Sequence, residues 1–388
     1  MKDKIFSLDL GNQTLKLLVI EEDENGQINI LTKLNKNIES FSNGEIIDEN
    51  NFLEEVIIPL KEIAEQLDIS LKNIILSYNA SYFSFHRTKS KVAVSEKYVS
   101  EGDIKKCFLI AKASLASGNY ETLYEEAISY YLDGSPAKIR DPLGAEARTL
   151  EIDFCIIQAL KASLNKIKDF FAKNDIDIDC ILPNPIASSY VLFPKKDKEL
   201  GVIVVDFGYR LFNVSVFVDG KLNFYQNIEF GLGNLIEDLA IDLGVEVKQV
   251  FEFMANIINY KDKKQKIGNK LGKERFNYHS FAKILEKKFF FYWKKYNLSQ
   301  LFLKLKENYR LPSGIYLIGG GAFIPEIETV LKKYSGYLVK KNSDIYNILN
   351  KDELIYLNSL GLAYFFEHNM PRKSFISRLT GFFKNFFL

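Results

Sequence analysis

Leu200-Gly201-Val202-Ile203-Val204-Val205-Asp206-Phe207-Gly208 is the stretch from which the architecture of this chain can be read. Its apolar run is a buried strand, and the Asp-x-Gly at its end turns the backbone so that N–H groups and a carboxylate meet an anion and its cation. A hairpin through Asp219-Gly220 follows. The chain begins in the same way. Residues 4–10 form a strand ending in Asp9-Leu10-Gly11-Asn12-Gln13, residues 15–20 a second, and residues 27–34 a third after the Asn25-Gly26 turn. Strand, Asp-x-Gly, turn, strand, turn, strand thus occurs twice, which predicts two similarly built halves.

Helical spacing marks residues 52–67, and 73–77 form a short strand. Between 82 and 164 the texture changes to short alternating strands around one helix, 101–117, capped by Ser100 with Asp103 three residues on. With the turn Arg140-Asp141-Pro142-Leu143-Gly144, this segment reads as an inserted α+β module. An amphipathic stretch at 164–173 and a strand at 180–182 complete the first half. In the second, helices are expected at 234–243, 247–259, 279–295 and 354–368, with a lysine-rich loop at 261–275. A strand at 313–318 closes in Gly319-Gly320-Gly321.

At 388 residues the chain is long enough for two or more domains. A hydrophobic share of 47% against 26% charged residues is that of a soluble globular protein, and a net charge of +1 excludes a strongly basic nucleic-acid binder. The charge is uneven: Arg372, Lys373, Arg378 and Lys384 lie in the last stretch with no acidic residue among them. Cys107, Cys155 and Cys180 are far apart in apolar surroundings and read as buried thiols of a reducing compartment. Three histidines make a histidine metal site an unsuitable reading. Met-Lys-Asp-Lys runs straight into a strand, so no signal peptide is expected, and no apolar run reaches the roughly 20 residues of a spanning helix.

Two Asp-x-Gly turns and a late triple glycine are the chemistry-bearing set. Asp9 and Asp206 would hold a hydrated Mg²⁺ beside phosphate oxygens, and Gly319, Gly320 and Gly321 let backbone approach a nucleotide where a Cβ would clash. In this order the turns resemble the actin, Hsp70 and sugar-kinase ATPase superfamily. The details resemble FtsA, the bacterial cell-division family: Asn79-Ala80-Ser81, Ser100-Glu101-Gly102-Asp103-Ile104, Tyr131-Leu132-Asp133-Gly134, Asp141-Pro142-Leu143-Gly144 and Pro185-Ile186-Ala187-Ser188.

That resemblance implies an α/β, actin-like two-domain fold with an FtsA-type inserted subdomain. Subdomain 1A would be 1–81 and 165–196, 1C 82–164, 2A 197–233 and 300–369, and 2B 234–299, with a linker and amphipathic helix at 370–388. It implies ATP and Mg²⁺ as cofactors, held by Asp9, Gly11, Asn12, Gln13, Thr14, Asp206, Gly208, Tyr209, Arg210, Gly231, Gly319, Gly320 and Gly321. Its implied partners are the FtsZ C-terminal peptide, an anionic membrane on the cytoplasmic side, further copies of the chain in filaments, and other division proteins through the insert.

The departures from the family pattern concern the nucleotide. Tyr209 and Arg210 replace small residues of the second phosphate loop, and Leu211 and Phe212 replace its hydroxyl pair. Thr14 stands where the family usually has Lys, Leu232 replaces the second glycine after Gly231, and 251–254 replace an adenine-side Glu-x-x-Lys. Bulky groups at close-approach positions predict a weak or absent ATPase, with Phe207 and Tyr209 as candidates to fill the cleft and Arg210 as a fixed positive charge.

Beyond Pro371, the residues Phe375, Ile376, Leu379, Phe382, Phe383, Phe386 and Phe387 share one helical face, while Arg378 and Lys384 lie on the other. Such a face suits an in-plane membrane helix, the alternative being a helix packed on protein. Lys287, Lys288, Lys294 and Lys295 flank a run of aromatics on the 279–295 helix. They read either as the solvated face of a core helix or, by the resemblance, as a grip for an acidic FtsZ peptide. Two rival readings share the plan: a pilus-assembly scaffold of the PilM type, and a soluble small-molecule kinase.

Overall fold

A computed structural model describes residues 4–22, 28–72, 74–115, 118–259, 269–341 and 355–369. The first half opens with an antiparallel meander, β1 (Lys4–Leu10), β2 (Thr14–Glu22) and β3 (Ile28–Asn37). A small hairpin, β4 (Phe41–Ser42) and β5 (Glu45–Ile46), precedes β6 (Ile74–Tyr78). The insert then builds its own antiparallel sheet from β7 (Ser84–Ala93), β8 (Tyr120–Leu132) and β9 (Thr149–Leu160), in the order β7-β9-β8. The chain returns to the first sheet with β10 (Ile178–Pro183), giving the order β3-β2-β1-β6-β10.

The second half repeats this plan. β11 (Val202–Phe207), β12 (Phe212–Val218) and β13 (Lys221–Ile228) form the meander, a hairpin β14 (Asn269–Leu271) and β15 (Glu274–Phe276) follows, and β16 (Ile315–Ile318) and β17 (Val339–Lys341) add in parallel. The order β13-β12-β11-β16-β17 matches the first sheet strand for strand. Because both faces of each sheet are covered, β1 and β11 are mostly apolar runs, interrupted in β1 by Ser7 and Asp9 and in β11 by Asp206.

Local chemistry accounts for several elements. The helix Glu101–Leu115 starts with a reciprocal cap: Ser100 Oγ accepts from Asp103 N at 3.2 Å, and Asp103 Oδ2 accepts from Ser100 N at 3.0 Å. Its Ile104, Cys107, Phe108 and Ala111 pack on Leu150, Ile152 and Phe154 of β9. The insert strands are 10, 13 and 12 residues long, in place of the short strands expected. Two register shifts on β8, at Thr122/Tyr124 and Ala127/Ser129, break the period of two and hide its length in the sequence. The helical run at 49–66 contains a wider turn, Leu53–Ile57, just before Pro59, whose missing N–H and ring would otherwise disrupt a regular ladder.

The high phenylalanine content has a location. Phe207, Phe212, Phe230 and Phe289 lie ring to ring between the second sheet and the helix Tyr278–Lys295, with Tyr292, Trp293 and Phe302 extending the stack. Cys107 and Cys155 are buried free thiols and Cys180 a half-buried one. Burial pushes all three thiols up, Cys180 to about 12, which makes them inert packing groups.

Candidate functional site

Alternation along β11 decides what the second Asp-x-Gly presents. Val202 and Val204 join the core shared with the first half, and Asp206 lies on their side; Ile203, Val205 and Phe207 belong to the core of the second half. Phe207 is fully buried against Phe212, Phe230 and Phe289. The expectation that it fills the cleft is corrected by this one-residue step: a strand residue next to an inward-facing carboxylate must face away.

Asp9 and Asp206 meet between the halves. Asp9 is 3% exposed and accepts from Lys16 Nζ at 3.2 Å, Asn358 Nδ2 at 3.1 Å and Asn184 Nδ2 at 3.4 Å. Lys16 comes from β2, Asn184 follows β10, and Asn358 belongs to the helix Leu357–Asn369. Asp206 is pushed up to about 7, first by burial and then by the Asp9 charge, against a smaller opposing pull from Lys16. Asn79 Nδ2 donates to Asp206 Oδ2 at 3.4 Å, Tyr225 OH donates to Asn79 Oδ1 at 3.3 Å, and Asn227 Nδ2 donates to Ala80 O at 2.6 Å. These bonds stitch the two halves together beneath the cleft.

Ser77 Oγ, Asn184 Oδ1 and Asn358 Oδ1 are buried in the same region with no hydrogen-bond partner among the described residues. Orphaned polar atoms beside two carboxylates suit ordered water or a hydrated cation, so the carboxylate side fits Mg²⁺ held by Asp9 and Asp206.

The phosphate loops are different. In the first, Gly11 N donates to Thr14 O at 3.0 Å, Gln13 O accepts from Ile38 N at 2.9 Å, and Asn12 Oδ1 accepts from Asn43 N. Asn43 is in turn bonded both ways to Ser81, at 2.7 and 2.8 Å. In the second, Gly208 N donates to Leu211 O at 2.9 Å, and the ring of Tyr209 lies over Gly233, where an added Cβ would come within 2.7 Å of it. A Cβ on Gly231 would lie 2.3 Å from Tyr209 O. At Gly319 (φ +84°) a Cβ would meet Asp206 Oδ1 at 2.5 Å, and at Gly321 the Phe207 ring at 2.2 Å; Gly320 has only Leu232 Cδ2 at 3.6 Å. The room left by four of these glycines is taken by the chain itself. Arg210 forms two bonds to Glu237, at 2.7 and 2.9 Å. The second loop therefore does not fit a triphosphate.

Lys16, Asn79, Asn184, Asn358 and Glu237 are the site residues that sequence reasoning missed. Asn79 and Asn184 each directly follow a strand, as the two Asp-x-Gly carboxylates end theirs, and that position was the available signal. Asn358 and Glu237 arrive on helices, with nothing local to mark them. On the helix Tyr278–Lys295, Phe281, Leu285, Phe289 and Trp293 are buried, and Phe291 is exposed. Lys287, Lys294 and Lys295 are exposed, the last two lying over the rings of Phe290 and Tyr292, whereas Lys288 is bound to Asp242 at 2.6 Å. Phe375, Ile376, Arg378, Leu379, Phe382, Phe383, Lys384, Phe386 and Phe387 lie outside the described residues. Among the described residues no helix is long and apolar enough to cross a membrane.

Comparison with known proteins bears on this arrangement. Residues 80–158, the insert, match the family model of the SHS2 domain inserted in FTSA. Over longer stretches the chain is similar to the cell division protein FtsA of Bacillus subtilis, 25% identical over 63% of this chain and 55% of that protein. It is also similar to FtsA of Enterococcus faecalis, 23% identical over 82% and 74%. The match spans little more than half the length of the Bacillus subtilis relative and of its Pseudomonas aeruginosa counterpart, 55% and 57%. Among solved structures, the PilM–PilN type IV pilus biogenesis complex superposes with a TM-score of 0.63 at 10% identity, over 94% of this chain and 98% of that one. MreB5 of Spiroplasma citri bound to AMPPNP gives 0.51 at 11% identity, over 92% and 96%. At such identities these structures establish the fold alone. The chain has an actin-like fold whose first half carries an insert matching the SHS2 domain of FtsA, and its sequence is similar to the FtsA cell-division proteins.

Proposed function

We propose that this protein is an FtsA-like adaptor that ties FtsZ filaments to the inner face of the cytoplasmic membrane at the division site and self-associates there. The observation that carries this reading is the SHS2 insert: a three-stranded sheet with its capped helix, set between β6 and β10 of an actin-like core. In this proposal the tail face of Phe375, Ile376, Leu379, Phe382, Phe383, Phe386 and Phe387 enters the lipid interface. Arg378 and Lys384 add roughly 1 kcal/mol each near an anionic leaflet. A single helix of this kind binds reversibly, and filament formation multiplies it into stable attachment. Lys287, Lys294 and Lys295, with the exposed Phe291, are proposed to receive the FtsZ C-terminal peptide. The likeness to PilM spans 94% of this chain at 10% identity and so concerns the fold alone, whereas the match of residues 80–158 to the SHS2 domain of FtsA supports the adaptor.

Flotation with anionic vesicles tests the tether, comparing the full chain with one ending at Met370. The full chain should float and the shortened one remain at the bottom. If neither floats, the membrane part of the proposal fails.

A further inference from the structure

We propose that the second phosphate loop is a self-occupied joint: Tyr209 and Arg210 stand where a triphosphate would lie, and the protein holds its closed form without nucleotide. The first N–H groups of the helix Leu232–Leu243 have no acceptor within the helix and, if free, would be donors for an anion. Here those donors are spent. Gly231 N donates to Asn234 Oδ1 at 2.9 Å, Leu232 N to Gly208 O at 2.9 Å, and Gly233 N to Tyr209 O at 2.8 Å. An incoming phosphate would have to break three bonds to replace them.

Space and charge agree with this. Gly231 and Gly233 are glycines because Tyr209 needs the room, its carbonyl against the first and its ring against the second. The ring is fixed on its other contacts by Phe251, stacked at 5.9 Å and 27°, and by the Arg210 guanidinium at 5.0 Å. Arg210 is itself held bidentate by Glu237. The nearby ammonium, Lys16, is committed to Asp9. Closure across the halves is supplied instead by Asn79, Tyr225 and Asn227.

The loop geometry stands independently of the adaptor reading, and its consequence for that reading is assembly without a nucleotide cycle. Thermal unfolding of the full chain without lipid, in buffer with Mg²⁺, in Mg-ATP and in Mg²⁺ with inorganic tripolyphosphate, keeps the two apart. The wild-type Tm should be the same in all three. A rise in Tm with Mg-ATP or with tripolyphosphate overturns the proposal, whatever the flotation result. Glu237→Gln serves as the companion: Glu237 is about one-third exposed, so the change leaves the fold intact while releasing Arg210. Tripolyphosphate should bind this variant at least about tenfold more tightly than wild type by calorimetry, the gain from one freed charge–phosphate contact. Equal binding by the two proteins overturns the role given to the ion pair.

Discussion

Asp206→Asn is the sharpest probe of the buried carboxylates. Asp206 is pushed from its ordinary value of 3.8 up to about 7 by burial and by Asp9. Because folding raises it, the protonated form is favoured in the folded protein. The stability this confers is complete below about pH 4 and is lost as the pH climbs through about 7. Relative to the ionised carboxylate, protonation favours the folded state by on the order of 1 kcal/mol at pH 6 and by almost nothing at about pH 8. Asn keeps the shape and cannot ionise, so this part of the pH dependence should disappear. Urea unfolding of both proteins at the two pH values measures it, and the difference of differences cancels groups remote from the site. At about pH 8 the variant should also be the more stable, by up to ~4 kcal/mol less the bond that Asn79 makes to the carboxylate. A variant with the same pH slope as wild type, or one less stable at the higher pH, would refute the account of two carboxylates pressed together.

Two further substitutions test how the site is framed. Gly361→Ala places a Cβ 1.8 Å from Ala187 O, where the helix Leu357–Asn369 crosses the short helix Asn184–Ser188, and should cost about 1–3 kcal/mol in urea unfolding; a gain near the ~1 kcal/mol that helix propensity alone confers would show that the crossing is loose. Asp103→Ala removes the acceptor of two N–H and two O–H donors from Ser95 and Ser100, and should cost about 1–2 kcal/mol near neutral pH. Burial opposes ionisation of Asp103, but the Ser100 and Ser95 bonds outweigh it and hold the carboxyl down at about 2, so its contribution is present above about pH 4 and fades toward pH 2. An acid-unfolding curve unchanged by Asp103→Ala would contradict this.

How far the site could be foreseen depended on the range over which each signal acts. The Asp-x-Gly turns at Asp9 and Asp206 were legible because a carboxylate at the end of an apolar strand is a local pattern. So was the Ser100–Asp103 cap, whose two residues lie on one turn. The fate of Tyr209 and Arg210 could be read only as far as bulk in a tight place. That the bulk is accommodated by Gly231, Gly233, Phe251 and Glu237 is a relation between the β11–β12 turn and two later helices. Phe207 shows the opposite error: its size suggested a plug, whereas its strand parity sends it into the core.

The sequence by itself determined the doubled architecture, the place of the insert and the two carboxylates, because strand period, turn residues and caps are short-range properties of consecutive residues. The tertiary structure alone decided that Lys16, Asn184 and Asn358 converge on Asp9, that burial and Asp9 push the Asp206 carboxyl up to about 7, and that the glycines of the second loop serve Tyr209. Each of those depends on groups brought together from distant parts of the chain, where burial and proximity, and not residue type, set the chemistry.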